Sequence, residues 1–344
     1  MLGASAWYAE CGLRWDAPCR GQYPLPVVRE FEFTIRRLQG QMRAVKAALA
    51  ALASVAAFSS AHAQSIEPRA YSNAPVGVNF LLAGYAHTNG GLSFDPSLPL
   101  TNPELHTSSA VVGFVRALDL WGMSGKVDVV VPYTWLNGNA DYLGQPVERV
   151  VNGFSDPAFR LSVNFYGAPA LNLKDFANYH QDLIIGASLL ATAPLGQYDD
   201  TRLVNVGANR WSIKPEVGLS KVLGPWTLEL QGAATFYTDN NDFYHGNTRS
   251  QDPLYSTQTH AIYAFVSGIW FSADTTWYFG GRSSINGVPS NDFQHNLRIG
   301  GTLALPVDAR NSVKLNASRT VSSATGNGFD VVGVFWQYRF GGGL

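Results

Sequence analysis

Val332-Gly333-Val334-Phe335-Trp336-Gln337-Tyr338-Arg339-Phe340 alternates residue by residue. Val332, Val334, Trp336, Tyr338 and Phe340 share one parity, and Gln337 and Arg339 share the other. A period of two marks a β-strand, because successive side chains leave opposite faces of the pleat. The segment before it, Ser312-Val313-Lys314-Leu315-Asn316-Ala317-Ser318, sets Val313, Leu315 and Ala317 against Lys314, Asn316 and Ser318. An apolar, aromatic-rich face on such strands predicts contact with lipid, with the polar face lining a watery interior.

Followed back along the chain, the alternation predicts strands at 77–88, 107–118, 125–136, 155–166, 181–192, 210–221, 226–239, 255–269, 274–285, 293–305, 311–322 and 330–340. These make a transmembrane antiparallel up-and-down β-barrel of about twelve strands, an all-β fold. An even number suits a bacterial barrel whose two termini return to the periplasmic side. The connectors 119–124, 222–225, 270–273 and 306–310 are short, as periplasmic turns are, whereas 89–106, 137–154, 193–209 and 240–254 are longer and suit the outer face. The stretch 167–180 is long where a short turn is expected, and the outer connectors 286–292 and 323–329 are brief.

Composition agrees. The chain is 46% hydrophobic and 12% aromatic, with only 14% charged residues and 34 glycines. Soluble domains carry about 25% charge. No apolar run beyond residue 63 approaches the ~18 residues of a helical span. A net charge of -1 gives no reason to expect a nucleic-acid partner.

The start of the chain reads differently. Met42-Arg43-Ala44-Val45-Lys46 is a short basic start, 47–58 is apolar, and Ser59-Ser60-Ala61-His62-Ala63 ends in an A-x-A site before Gln64. This is the grammar of a secretory signal peptide, 42–63, cleaved between Ala63 and Gln64. Residues 1–41 precede a complete signal with its own methionine, so they are expected to be a mis-assigned upstream extension. Both cysteines, Cys11 and Cys19, lie there. A mature chain from Gln64 therefore has none and no lipoprotein anchor, and 64–76 is expected to be a short periplasmic segment before a barrel over 77–344.

Parity sorts the side chains. The inward set, the candidate pore lining, is Arg116, Lys126, Asp128, Arg160, Lys214, Glu216, Glu229, Gln231, Arg282, Arg298, Lys314 and Arg339, together with Asn296, Asn316 and Gln337. Lys214 and Glu216, two apart on one face, are placed to form an ion pair. Arg319 breaks the rule near the outer end of its strand, where it can snorkel. Val112, Phe114, Val130, Leu190 and Phe335 are expected as inward apolar patches. Trp121, Trp226, Trp270 and Phe340 fall near periplasmic ends and Tyr133, Trp135 and Trp211 near outer ends, as interfacial belts do.

Several ordered phrases are similar to one family. They are Gly153-Phe154-Ser155-Asp156-Pro157, Asn164-Phe165-Tyr166-Gly167-Ala168-Pro169-Ala170-Leu171, Thr192-Ala193-Pro194-Leu195-Gly196-Gln197-Tyr198-Asp199, Asn209-Arg210-Trp211-Ser212-Ile213-Lys214-Pro215-Glu216-Val217-Gly218, Asp239-Asn240-Asn241-Asp242, Gln258-Thr259-His260 and Gly280-Gly281. The chain from Asn79 onward resembles the outer-membrane family associated with the meta-pathway of phenol degradation. The resemblance implies an outer-membrane barrel transporting aromatic or related hydrophobic compounds in a Gram-negative cell. Read physically, most of these residues are turn chemistry: Pro194 stops a ladder and Gly196 permits a turn.

Other functions have weaker support. A hydrolase would need a serine and an orienting group beside His295; Ser290 and Asn291 are near in sequence, but no nucleophile phrase accompanies them. No catalytic residue is assigned. Asp239 to Asp242 lack the ligand spacing and glycine of a calcium loop, so no metal and no cofactor is expected. An adhesive barrel would favour longer outer loops. Two readings remain open: uptake of aromatic or hydrophobic compounds, and a general anion-biased pore for small solutes. The expected partners are outer-membrane lipid and lipopolysaccharide, the barrel-assembly machinery and a small-molecule substrate. Assembly signals usually end on an aromatic residue; here Phe340 is followed by Gly341-Gly342-Gly343-Leu344.

Overall fold

The computed structural model describes residues 67–91, 100–326 and 328–344. The upstream extension, the signal peptide and the cleavage point at Ala63 and Gln64 lie outside them. The elements are β1 (Val78–Gly90), β2 (Thr101–Leu120), β3 (Met123–Tyr142), β4 (Gln145–Phe154), β5 (Ala158–Tyr166), the one-turn helix α1 (Leu173–Phe176), β6 (Leu183–Thr192), β7 (Ser212–Leu223) and β8 (Trp226–Tyr237). There follow β9 (Asn240–Phe243), β10 (Asn247–Gln251), β11 (Leu254–Ala264), β12 (Trp270–Gly280), β13 (Ser283–Ile285), β14 (Val288–Pro289), β15 (Gln294–Pro306), β16 (Asn311–Ser322) and β17 (Phe329–Gly341).

Neighbouring strands pair antiparallel, and β1 pairs with β17 from Val78↔Gly341 to Gly90↔Phe329, which closes the sheet. β4 and β5 both pair with β3 and form one stave interrupted at 155–157. The barrel therefore has twelve strands. Closure matters because lipid offers the backbone no hydrogen bonds, so an open edge would leave a row of unpaired groups.

All twelve expected strands are present, with two differences in extent. The strands expected at 255–269 and 274–285 lie at 254–264 and 270–280. The turn between them falls where Gly268 takes φ +83°, a backbone that favours glycine, so 270–273 is strand rather than connector. The expected outer connector 137–154 is mostly hairpin. β2 and β3 are 20 residues each, well beyond the ~9–11 needed to cross, and β3 turns into β4 through Leu143 and Gly144, both at positive φ. Leu105, Leu136, Val151, Val204 and Phe243 form an apolar cluster beneath this hairpin. The connector 240–254 holds the β9–β10 hairpin, which joins β13 and β14 in a small second sheet. At the opposite end, hydrogen bonds from Arg310 N and Asn311 hold the Asp308 carboxyl below the usual carboxylate range and fix the β15–β16 turn.

Directly opposed residues of paired strands share a face, so the registers give every side chain its side. On β2 the expected parity is reversed. Val112 is 55% exposed and Phe114 37%, and they oppose Val131 and Val129 on the outer wall. Arg116, of the same parity, is also outside, where its Nη1 donates to Asn79 Oδ1. Arg282 is not in the wall either: it follows the end of β12 and lies exposed, its guanidinium 5.7 Å from the Phe293 ring. Arg319 does face outward, forked onto Asp330 of β17 at 2.8 and 3.1 Å. Of the expected inward apolar patch, Val130, Leu190 and Phe335 are inside.

Candidate functional site: a strapped lumen

The long inner connector 167–180 has a role in the architecture. Its Ala168 and Leu171 carbonyls accept from Ser124 N and Val76 N, and Pro169 O accepts from Asn73 Nδ2. It thus docks the segment that precedes β1. Residues 67–77, which take in most of the segment 64–76 expected to precede the barrel, are held as a strap by inward-facing side chains of β3, β5, β7 and β8.

Each contact follows from the parity of a strand. Arg160 on β5 forks Glu67, with Nη2 2.8 Å from Oε1 and Nη1 on Oε2, and its Nε lies 3.8 Å from Asp128 Oδ2 on β3. Lys126 on β3 donates to the Ala70 and Ser72 carbonyls. Glu229 on β8 accepts from Arg69 N at 2.8 Å and from Ser220 Oγ at 2.9 Å. Gln231, two residues on, reaches Glu67 O at 3.5 Å. Glu216 on β7 accepts from the Tyr71 hydroxyl at 3.0 Å and pairs with Lys214 at 2.9 Å, the pair expected from their spacing. Asn164 Nδ2 donates to Tyr71 O at 2.9 Å.

Seven of the expected lining residues thus converge on the strap: Lys126, Asp128, Arg160, Lys214, Glu216, Glu229 and Gln231. Charge-assisted hydrogen bonds contribute about 1.5–3 kcal/mol each when dry, and less at the half-buried Glu67. Arg298 is also inside and fully buried, donating to Thr320 Oγ1, Phe329 O and Ser318 Oγ, with its guanidinium 3.8 Å over the Phe329 ring. Lys314 lies 6.0 Å from the Trp270 ring. Arg339 has inward parity but sits exposed at the inner rim, bonded to Ala309 O.

Trp270, expected in the lipid-facing belt, is buried inside, its ring 4.9 Å beneath the Arg69 guanidinium. The belt residues Tyr133 and Trp135 do face outward and meet edge-on at 4.8 Å, with Phe154 against Tyr133. Sequence reasoning missed Glu67, Arg69 and Tyr71, whose segment has no periodicity. It also passed over the buried pair His260 Nδ1···Asp274 Oδ1, 2.7 Å, supported by Ser272 Oγ. Inward parity on β11 was the signal for His260. His295 faces the outer surface against Trp277, and Ser290 Oγ accepts a hydrogen bond from Ser283 Oγ. Asn240 Oδ1 accepts from Asp242 N, which is turn chemistry. Among the described residues no group of three or more His, Cys, Asp or Glu is placed to hold a metal.

A closed barrel of twelve strands with an apolar outer face and a polar lumen is an outer-membrane β-barrel. Residues 96–340 match the sequence family described as "Putative MetA-pathway of phenol degradation", and the chain belongs to that family. Among solved structures it is similar to the COG4313 outer membrane channel from Pseudomonas putida F1, with TM-score 0.66 and 20% identity over 80% of this chain and 100% of that one. It is also similar, at TM-score 0.47 and 9% identity, to the transport unit of the autotransporter AIDA-I from Escherichia coli, over 81% of this chain and 93% of that one. No curated protein matches it in sequence.

Proposed function

We propose that the protein is an outer-membrane channel that passes small aromatic or related hydrophobic compounds through a lumen regulated by its strap. The observation that carries this reading is where the inward cations are spent. An open anion-selective pore needs free positive charge, yet Lys126, Arg160 and Lys214 are taken up by strap carbonyls, Glu67 and Glu216. Rings and apolar side chains share the inward face with these charges: Trp270, Tyr278, Phe335, Val130 and Leu190. The family's description supports the aromatic class, and the channel structure from Pseudomonas putida supports the barrel on which the reading rests. The second reading, an anion-biased pore, is favoured by Arg298 and Lys314: Arg298 donates to two hydroxyls and a carbonyl, and Lys314 lies 6.0 Å from the Trp270 ring.

The two are separated by uptake and by conductance. Cells expressing the protein are expected to accumulate labelled p-cresol several-fold faster than cells lacking it, and the purified full chain is expected to show a small, weakly selective conductance. Unchanged uptake combined with a large, strongly anion-selective conductance would contradict the aromatic reading and establish the pore.

A further inference from the structure

The strap's anchor is itself a phenol, and the barrel wall is shaped around it. Gly186 on β6 and Gly218 on β7 are direct cross-strand partners, so they face the lumen side by side. A Cβ on Gly218 would stand 2.2 Å from Tyr71 Cε2, and one on Gly186 would stand 2.5 Å from Tyr71 Cδ1. Neither glycine has a positive φ, so the backbone does not demand them. Glycine weakens a strand interior, and a facing pair marks a close approach. Here the ring makes that approach. Ala168 and Ile184 close the slot, and Tyr71 is only 1% exposed within it.

Polar groups line the slot, among them Glu216, Ser188 and Asn164. Glu216 Oε1 accepts the Tyr71 hydroxyl hydrogen at 3.0 Å. Asn164 Oδ1 lies 2.5 Å from where a Gly186 Cβ would be, is buried, and has no hydrogen-bond partner. The slot therefore holds an acceptor that Tyr71 does not use, and leaving such a group unpaired in a dry site is unfavourable.

We infer that this slot is a binding site for a monocyclic phenol, which replaces the Tyr71 ring and donates its hydroxyl hydrogen to Glu216. The inference rests on the aromatic-solute reading above and names the solute class. A carboxylate accepts from O–H and repels O⁻, so the neutral phenol binds and the phenolate does not. Solute and strap compete for one slot, so occupancy by the solute loosens the strap.

The probe is p-cresol, the side chain of Tyr71 as a free molecule, with p-xylene as the shape control that lacks the hydroxyl. In planar bilayers p-cresol is expected to raise the open probability of the full chain saturably, and p-xylene to be roughly tenfold less potent. Tyr71→Ala is expected to conduct more at rest and to bind p-cresol by calorimetry. Gly218→Ala also expels the ring and conducts more, but its methyl fills the slot, so it neither binds p-cresol nor responds to it. If Gly218→Ala fails to assemble, Glu216→Gln in the Tyr71→Ala background is expected to lower p-cresol affinity roughly tenfold. Equal binding by Tyr71→Ala and its slot-altered partner, or equal potency of p-cresol and p-xylene, overturns the site. Protein-dependent aromatic uptake with either of those results would leave the channel reading standing and remove only the slot. Slot binding without protein-dependent uptake would do the reverse.

Discussion

Deleting residues 67–76 is expected to raise the single-channel conductance several-fold while leaving the barrel folded. The two halves of that statement have separate physical grounds. The strap meets inward side chains from four strands, so its removal widens the lumen and frees Lys126, Arg160 and Glu229 to face water. The barrel is closed by the β1–β17 ladder, which begins at Val78 and does not use the strap. The conductance gained should also shift toward anions, because Lys126 loses its carbonyl partners and Arg160 loses Glu67 and keeps only Asp128 at 3.8 Å, and local positive charge concentrates anions. Glu67→Gln is a graded version. It weakens one fork at a half-buried site, about 1–2 kcal/mol, and should multiply the time spent open by roughly 5–30 without abolishing closure. Bilayer recordings of the two variants beside the full chain check both expectations.

Val217→Arg is expected to cost about 2–4 kcal/mol of stability, because an arginine at mid-depth on the lipid face must be buried in hydrocarbon. Val217 lies near the middle of β7, and 56% of it is exposed on the outer wall. The readout is loss of the heat-modifiable folded band and a lowered urea midpoint in micelles. Arg116→Leu is the paired control. Arg116 shares the lipid-facing parity of β2 but sits near its inner end, where a long side chain reaches the headgroups. Its replacement should leave both stability and ion selectivity nearly unchanged. A clear change of selectivity in Arg116→Leu would place that residue in the lumen after all.

The strands were legible because alternation is a local signal and lipid on one side sharpens it. The errors arise where that contrast vanishes. Around Ala110-Val111-Val112-Gly113-Phe114-Val115, both faces of β2 are apolar, and Arg116 alone was left to indicate the parity. It did so wrongly because strand ends tolerate charge on either side. The β11–β12 turn was misplaced because Ile269-Trp270-Phe271 is as strand-like as the rest of β12; only the φ of Gly268 distinguishes it. Trp270 then landed in the lipid belt, although its even parity on β12 puts it inside.

Of the lumen, Lys214 and Glu216 could be paired from sequence because two residues on one strand face are neighbours whatever the register. Which residues Arg160, Lys126 and Glu229 meet could not. Their partners belong to a segment without periodicity, more than fifty residues away in the chain. Two anomalies pointed at it. The connector 167–180 was too long for a periplasmic turn, and it proves to dock the strap. Gly186 and Gly218 interrupt otherwise regular strands, and they admit Tyr71.

Hydrogen–deuterium exchange of the peptide 67–77 in the purified, micelle-embedded full chain tests the strapped lumen most directly, since it perturbs no residue. Arg69 N is bonded to Glu229, Val76 N to Leu171 O and Gly77 N to Ala117 O. These amides are expected to exchange orders of magnitude more slowly than an unstructured chain. Exchange of all three at the free-chain rate would contradict the account, because a strap outside the lumen has no such bonds to protect it.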